Sequence, residues 1–215
     1  MFAKEGYSTM AVVVVFAAVV CTGAYLLNNG FSWGLYALMI ALTGLIFYFF
    51  RDPDRSIPSG EHNIVSPSDG RVVAIQPYSD SYVGKKAVRV SVFLNIFNVH
   101  VNRSPCDGIV MNSKYKPGKF LPAFDPKTSE ENEQTIIDIK HKDFKLRMKQ
   151  IAGLIARRIV NHLRPGDHVT RGGRFGLIRF GSRMDIIFPA EVEVKVELKQ
   201  KVYGGKTVIG EWREV

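Results

Sequence analysis

Cysteine is nearly absent. Only Cys21 and Cys106 occur in 215 residues, so there is neither a disulfide framework nor a metal-ligand spacing, and a reducing compartment is the default. Tryptophan is scarce as well, with two residues. No recognition-helix, RNP-like or zinc-finger pattern accompanies the basic balance, so nucleic acid is not the expected partner. Acidic residues are outnumbered: 20 Asp+Glu stand against 29 Lys+Arg, a formal charge of +9. Apolar residues make up 46%, too many for a disordered tail. The mean hydropathy of +0.01 is high for a chain this charged, so the apolar residues must be concentrated somewhere.

They are concentrated at the front. Thr9–Leu27 and Phe31–Phe50 are runs of 19 and 20 residues without a charge. At the rise of a helix each spans about 28–30 Å, the thickness of a bilayer's hydrocarbon core. The short polar link Asn28-Asn29-Gly30 makes the pair a helical hairpin, with aromatics such as Tyr25, Trp33 and Tyr48 near its ends. Lys4 precedes the first run, and Arg51 and Arg55 follow the second. By the positive-inside rule both flanks are cytoplasmic. A cleaved signal peptide would need a small-x-small site before a polar mature start, and none is evident. Helices lying in the interface are the other arrangement open to such a sequence. The expected organisation is a membrane-anchoring hairpin over 1–50 and a second domain over 51–215. That second domain carries the whole positive charge and gains roughly 1 kcal/mol per well-placed Lys or Arg beside an anionic leaflet.

Residues 51–215 read mainly as strands. Arg71–Ile75, Lys86–Phe93, Gln134–Ile139 and Glu191–Leu198 alternate or run apolar with β-branched enrichment. Glycine and proline punctuate the gaps at Pro67–Gly70, Pro117-Gly118, Pro165-Gly166, Gly172-Gly173 and Gly204-Gly205. Ile151–Val160 fits helix or strand. The segments Val169–Gly176 and Val202–Gly210 share Val-x-x-Gly-x-x-apolar, as two similar turn-and-strand units would. The predicted fold is therefore mainly β, a barrel or sandwich with hairpins like those of lipoyl and biotinyl carriers, behind the helical hairpin. A membrane-anchored carrier module is the alternative of a different class. Against it, Lys206 is the only lysine near a hairpin tip, without a carrier's flanking residues.

The informative segment is Arg179-Phe180-Gly181-Ser182-Arg183, between the apolar stretches Phe175–Phe180 and Ile186–Pro189. Alone, Gly-Ser is a turn. Its company is Ser66-Pro67-Ser68-Asp69-Gly70 and Phe97-Asn98-Val99-His100-Val101-Asn102 with Pro105 and Gly108. Phe49–Pro53, Glu131–Gln134 and Gln150–Gly153 with Ala156-Arg157-Arg158 complete the set. With these pieces in this order, the chain resembles the phosphatidylserine decarboxylases in their short bacterial and archaeal form.

The resemblance implies a proenzyme that cuts itself between Gly181 and Ser182, leaving pieces 1–181 and 182–215 as a heterodimer. Ser182 would become a covalent pyruvoyl group, with no external cofactor and no metal. The substrate would be phosphatidylserine, decarboxylated through a Schiff base to phosphatidylethanolamine and CO₂. Archaetidylserine or another serine phospholipid is the alternative. The chemistry accounts for the residue types: glycine permits the sharp bend that lets a following hydroxyl reach the preceding carbonyl, and serine's oxygen serves as nucleophile and then as leaving group. A histidine oriented by a carboxylate supplies the base, which assigns His100 and Asp69. Arg183 and Arg103 are candidates for the phosphodiester or carboxylate of the substrate. His62, His141, His162 and His168 read as surface or turn residues. The long bacterial form carries a second histidine where this chain has Arg103, so His100 does both jobs or another residue substitutes. The expected location is the cell membrane with the catalytic domain on the cytoplasmic side; a homo-oligomer stays open.

Overall fold

The computed structural model describes residues 1–27, 30, 32–123, 128–154, 158–179 and 181–213. The link Asn28-Asn29, Phe31, Ile155–Arg157 and Phe180 lie outside them. The described chain forms two compact units, Met1–Asp54 and Arg55–Val215.

The first unit is the pair of helices α1 (Tyr7–Leu27) and α2 (Ser32–Phe49). Their mean hydropathies of 2.2 and 1.6 and their lengths suffice to cross a membrane. Val12, Val15, Phe16, Val19, Trp33 and Ile40 point outward. Such helices are apolar all round, which suits lipid rather than water. Their outer ends are tied together: Ala3 N–H donates to the Phe50 carbonyl at 2.8 Å and Asp52 N–H to that of Met1 at 2.8 Å. Both free ends of the hairpin therefore emerge on one side. Arg51 caps that end, stacked over the Tyr48 ring at 3.7 Å.

The second unit is built from strands. In chain order they are β1 (Asn63–Val65), β2 (Gly70–Asp80), β3 (Gly84–Leu94), β4 (Val101–Arg103) and β5 (Gly108–Lys116). A single helical turn α3 (Thr128–Glu131) precedes β6 (Gln134–Lys140), β7 (Lys145–Ile151), β8 (Ile159–Asn161), β9 (His168–Val169) and β10 (Arg174–Ile178). The last four are β11 (Ser182–Pro189), β12 (Val192–Val194), β13 (Lys201–Val202) and β14 (Val208–Trp212). They form an eight-stranded curled sheet in the order β13-β2-β3-β11-β7-β6-β5-β9 and two three-stranded sheets, β1-β14-β12 and β4-β10-β8. The core between them is aliphatic, with Ile64, Val92, Ile139, Leu146, Met184 and Ile186 fully buried. The mainly β expectation holds.

The strand order reads the same from both ends once β2 is matched with β5, β3 with β6, β13 with β9 and β11 with β7. The hydrogen bonds repeat as well. Gly172 N–H donates to the Ser104 carbonyl at 2.8 Å as Gly205 N–H donates to that of Ser66 at 2.8 Å. Val110 N–H meets the Asp167 carbonyl at 2.9 Å as Val72 N–H meets that of Gln200 at 2.9 Å. Ser66 Oγ bonds the Ser68 carbonyl and Ser104 Oγ that of Cys106, each at 2.7 Å. The sequence carries the same duplication: His62-x₃-Ser-Pro-Ser-Asp-Gly70 recurs 38 positions later as His100-x₃-Ser-Pro-Cys-Asp-Gly108. The two Val-x-x-Gly units are its second halves, each a two-residue strand, a left-handed glycine (Gly172 at φ 77°, Gly205 at φ 73°) and a five-residue strand.

Two local expectations change. Glu191–Leu198 is a strand only over Val192–Val194, opposite Trp212 to Gly210 of β14, with one further backbone bond from Lys195 N–H to the Ile209 carbonyl at 3.0 Å. Val196 still turns inward, so the alternation outlasts the ladder. Ile151–Val160 is neither one helix nor one strand: Ile151 closes β7 and β8 begins at Ile159.

Candidate active site

β11 is one of the two central strands of the curled sheet, paired with β3 on one side (Ser182 opposite Leu94) and with β7 on the other (Arg183 opposite Ile151). Its alternation sends Ser182, Met184, Ile186 and Phe188 toward one face and Arg183, Asp185 and Ile187 toward the other. Ser182 is completely buried, and its Oγ has no hydrogen-bond partner among the described residues. A buried hydroxyl without a partner costs about 1–3 kcal/mol, so this one is held in place by its surroundings at the expense of stability. Gly181 before it has φ +59°. A Cβ there would meet nothing within 4 Å, so the backbone torsion alone calls for glycine.

The loop that leaves β3 at Leu94, the residue opposite Ser182, ends at His100, which is fully buried. Asn95 and Asn98 lock that loop: Asn95 N–H donates to Asn98 Oδ1 and Phe97 N–H to Asn95 Oδ1, both at 2.9 Å. The Asn98 carbonyl so fixed lies 2.9 Å from His100 Nδ1. A carbonyl can only accept, so Nδ1 carries a proton, and in the neutral ring Nε2 is then the acceptor, as a general base requires. Beyond His100 the chain enters β4, with Val101 opposite Leu177 on the strand that leads to Gly181.

Asp69 is buried, and its carboxylate is fully engaged. Oδ1 accepts from Gly204 N–H at 2.8 Å and Arg55 Nη2 reaches both oxygens at 3.2 and 3.0 Å. Among the described residues no hydrogen bond joins Asp69 to His100. The duplication separates the two partners of Asp69. Asp107, its counterpart, takes the same backbone bond, from Arg171 N–H at 2.9 Å, so that bond belongs to the turn. Arg55 is what the first copy adds. In the sequence Arg55 is only a flanking charge, and its position in an irregular segment carries no signal of this pairing.

The two arginines expected to meet the substrate are both buried and bonded within the domain. Arg183 projects from the face of β11 opposite Ser182, is buried, and donates to Asp185 Oδ1 and to Ser91 Oγ, each at 2.7 Å. Arg103 is buried with Nη1 3.1 Å from the Gly172 carbonyl, and its Cδ would lie 2.9 Å from a Cβ on Gly205. Behind β11 the ionic layer continues. Ser129 Oγ donates to Asp185 Oδ2 at 2.6 Å, and Arg147 bonds Asp138 and Asp80 at 2.6 and 2.8 Å. Burial lowers the Lys149 ammonium from its ordinary value and, with the Glu130 hydrogen bond, pushes Tyr78 up to about 12.

Fold and site define a class: a duplicated β domain in which one copy presents a left-handed glycine and a buried, unbonded serine at the head of a central strand. The family model for phosphatidylserine decarboxylase matches residues 42–210. A phosphatidylserine decarboxylase proenzyme of Nitrosomonas eutropha is 44% identical over 214 residues, covering 99% of this chain and 96% of the relative. Proenzymes of the same name from Geobacter sulfurreducens and Burkholderia cenocepacia are each 40% identical, covering 97% and 98% of this chain and 95% and 96% of theirs. The chain belongs to the phosphatidylserine decarboxylase family.

Proposed function

We propose that this chain is the proenzyme of a phosphatidylserine decarboxylase and cuts itself between Gly181 and Ser182. The observation that carries the reading is the buried Ser182 Oγ, without a partner and directly after a left-handed glycine, in a chain whose relatives are named proenzymes. Ser182 Oγ attacks the Gly181 carbonyl carbon while His100 Nε2 takes its proton. The C–N bond then breaks and the nitrogen takes a proton, leaving an ester between Gly181 and Ser182 Oγ and a free amine on Ser182. Removal of the Cα proton expels the Gly181 carboxylate, and water replaces the nitrogen of the resulting dehydroalanine, releasing ammonia. The fragments are 1–181 and 182–215, and a pyruvoyl group heads the second. That group supplies a ketone able to hold the substrate amine and accept the electrons released with CO₂.

The residues present fit such a group. Ser182 is buried and pairs with Leu94 at the head of β11, whose following residues are paired on both sides by strands of the larger fragment, so it stays in the sheet after the cut. The role of His100 has support from the duplication. Its counterpart His62 lies with Nδ1 4.0 Å from Asp143 Oδ2, and Asp143-Phe144 hold the place in the second copy that Gly181-Ser182 hold in the first, since His141 N–H bonds the Phe144 carbonyl at 2.9 Å as Leu94 pairs with Ser182. Arg55 pairs with the Asp69 carboxylate at 3.0 Å, and Asp69 in turn fixes the Gly204 turn of the small fragment to the large one. The apolar hairpin holds the domain at the membrane where the headgroup lies, on the cytoplasmic face by the placement of Lys4, Arg51 and Arg55.

Purified full-length protein in mixed micelles of detergent and phosphatidylserine tests the reading. It releases CO₂ from phosphatidylserine, and borohydride added with substrate inactivates it by reducing the covalent adduct. Protein that is inert toward phosphatidylserine, or active and indifferent to borohydride, refutes it.

A further inference from the structure

Two glycines flank the bond assigned to cleavage, and they are glycine for opposite reasons. At Gly181 the torsion demands it and space is open. At Gly153 the torsion is ordinary and the space is missing: a Cβ there would lie 2.1 Å from the Gly181 carbonyl oxygen, 3.1 Å from the Gly181 carbonyl carbon and 3.1 Å from Ala123 Cβ. The register explains the meeting. Arg183 pairs with Ile151, so two residues back along β11 and two residues on along β7 the antiparallel ladder would set Gly181 opposite Gly153. The ladder stops short of that pair because Gly181 turns left-handed. Its carbonyl oxygen then comes to rest beside the Gly153 Cα, and among the described residues no backbone N–H donates to it.

The Gly153 side of this contact is firmly held. Ala152 N–H donates to the Glu133 carbonyl at 2.9 Å. The Ala152 carbonyl accepts from Asn132 Nδ2 at 2.7 Å, and the fully buried Asn132 also holds Leu121 N–H at 3.0 Å and the Leu121 carbonyl at 2.9 Å. A side chain on Gly153 would therefore displace the peptide in front of it rather than the backbone behind it. During attack the Gly181 carbon passes from trigonal to tetrahedral and its oxygen leaves the amide plane, so the same space serves the reaction as well as the resting chain.

We infer that Gly153 is a positioning residue for chain cleavage: its bare Cα sets the orientation of the Gly181 carbonyl for Ser182 Oγ and leaves the oxygen room to move. This deepens the self-cleavage reading and rests on it. The test follows the release of fragment 182–215 from full-length protein in detergent micelles, comparing wild type, Gly153→Ala and Gly153→Ala/Ala123→Gly, with near-ultraviolet circular dichroism of each. Gly153→Ala retains the native spectrum and cuts about a hundredfold more slowly, the loss that a displaced reacting group of this kind produces. Ala123→Gly does not restore the rate, because it relieves only the 3.1 Å contact with Ala123 and not the 2.1 Å contact with the oxygen. Hydroxylamine, which cleaves an ester and spares an amide, frees no fragment from Gly153→Ala, because the block precedes ester formation. Wild-type cutting by Gly153→Ala, recovery in the double variant, loss of the native spectrum, or release by hydroxylamine each overturns the inference. A wild-type chain that stays whole refutes the self-cleavage reading itself, and is seen before any variant is compared.

Discussion

Asp185→Ala removes the anion at the centre of the layer behind β11. Asp185 is fully buried, and it accepts from Arg183 Nε at 2.7 Å and Ser129 Oγ at 2.6 Å, with Arg89 Nε 4.0 Å away. Truncation takes the Asp185 anion away from the Arg183 guanidinium, which is only 2% exposed. Breaking one side of a buried pair costs about 3–5 kcal/mol, which for a domain of this size lowers the melting midpoint by roughly 6–20 °C. Replacing both members with apolar residues, Arg183→Met/Asp185→Leu, removes the buried cation together with the anion. It leaves the Ser91 and Ser129 hydroxyls to find other partners at about 1 kcal/mol each, so the double variant recovers most of the loss. Both are measured in a Ser182→Ala background, where the chain stays whole, by thermal unfolding of full-length protein in micelles. A single variant within about 1 kcal/mol of its parent, or a double variant no more stable than the single, would show that the ionic layer does not hold this strand.

Three further outcomes follow from the site and its surroundings. Ser182→Ala stays at the full mass with no trace of a 34-residue fragment; any cut at 181/182 in that variant would place the nucleophile elsewhere. Gly181→Ala has room for its methyl group but must hold a left-handed torsion at a cost of about 1–2 kcal/mol, so it folds and cuts at a rate reduced by about tenfold; wild-type cutting would mean the torsion is not part of the reaction. Burial lowers the pKa of His141 below the ordinary histidine value. The unfolded chain therefore binds its proton more readily, and stability falls as pH drops through and below about 6.5; His141→Gln flattens that part of the profile, and an unchanged slope from pH 7.5 to 5.5 would contradict the assignment.

What was legible in the sequence followed from local pattern. Uncharged runs long enough for a bilayer gave the hairpin, and alternating β-branched segments gave the strands. The two Val-x-x-Gly units proved to be matching turns because a left-handed glycine leaves the same mark wherever it occurs. The larger repeat, His-x₃-Ser-Pro-x-Asp-Gly at 62–70 and 100–108, is equally present in the sequence, but its two copies enter the site reading as separate pieces rather than as a duplication. It would have separated the part of Asp69 that serves the turn from the part that meets Arg55.

Other features had no local signature. Lys145-Leu-Arg-Met-Lys149 alternates charged residues with apolar ones, yet Lys149 is 5% exposed. Alternation reports which residues share a face, while what covers that face depends on segments distant in the chain. Arg183 suffers the same ambiguity: next to Ser182 in sequence, it points to the opposite face of the sheet. The approach of Gly153 to the Gly181 carbonyl joins residues 28 positions apart through a ladder that stops just short of them, a contact that only the register reveals.

The most direct measurement is the mass of the purified, mature protein. The account predicts two polypeptides, residues 1–181 and a shorter one beginning at Ser182 whose first residue has lost its amine, resists Edman degradation and reacts with a hydrazine. A single polypeptide of full mass that decarboxylates phosphatidylserine would contradict it.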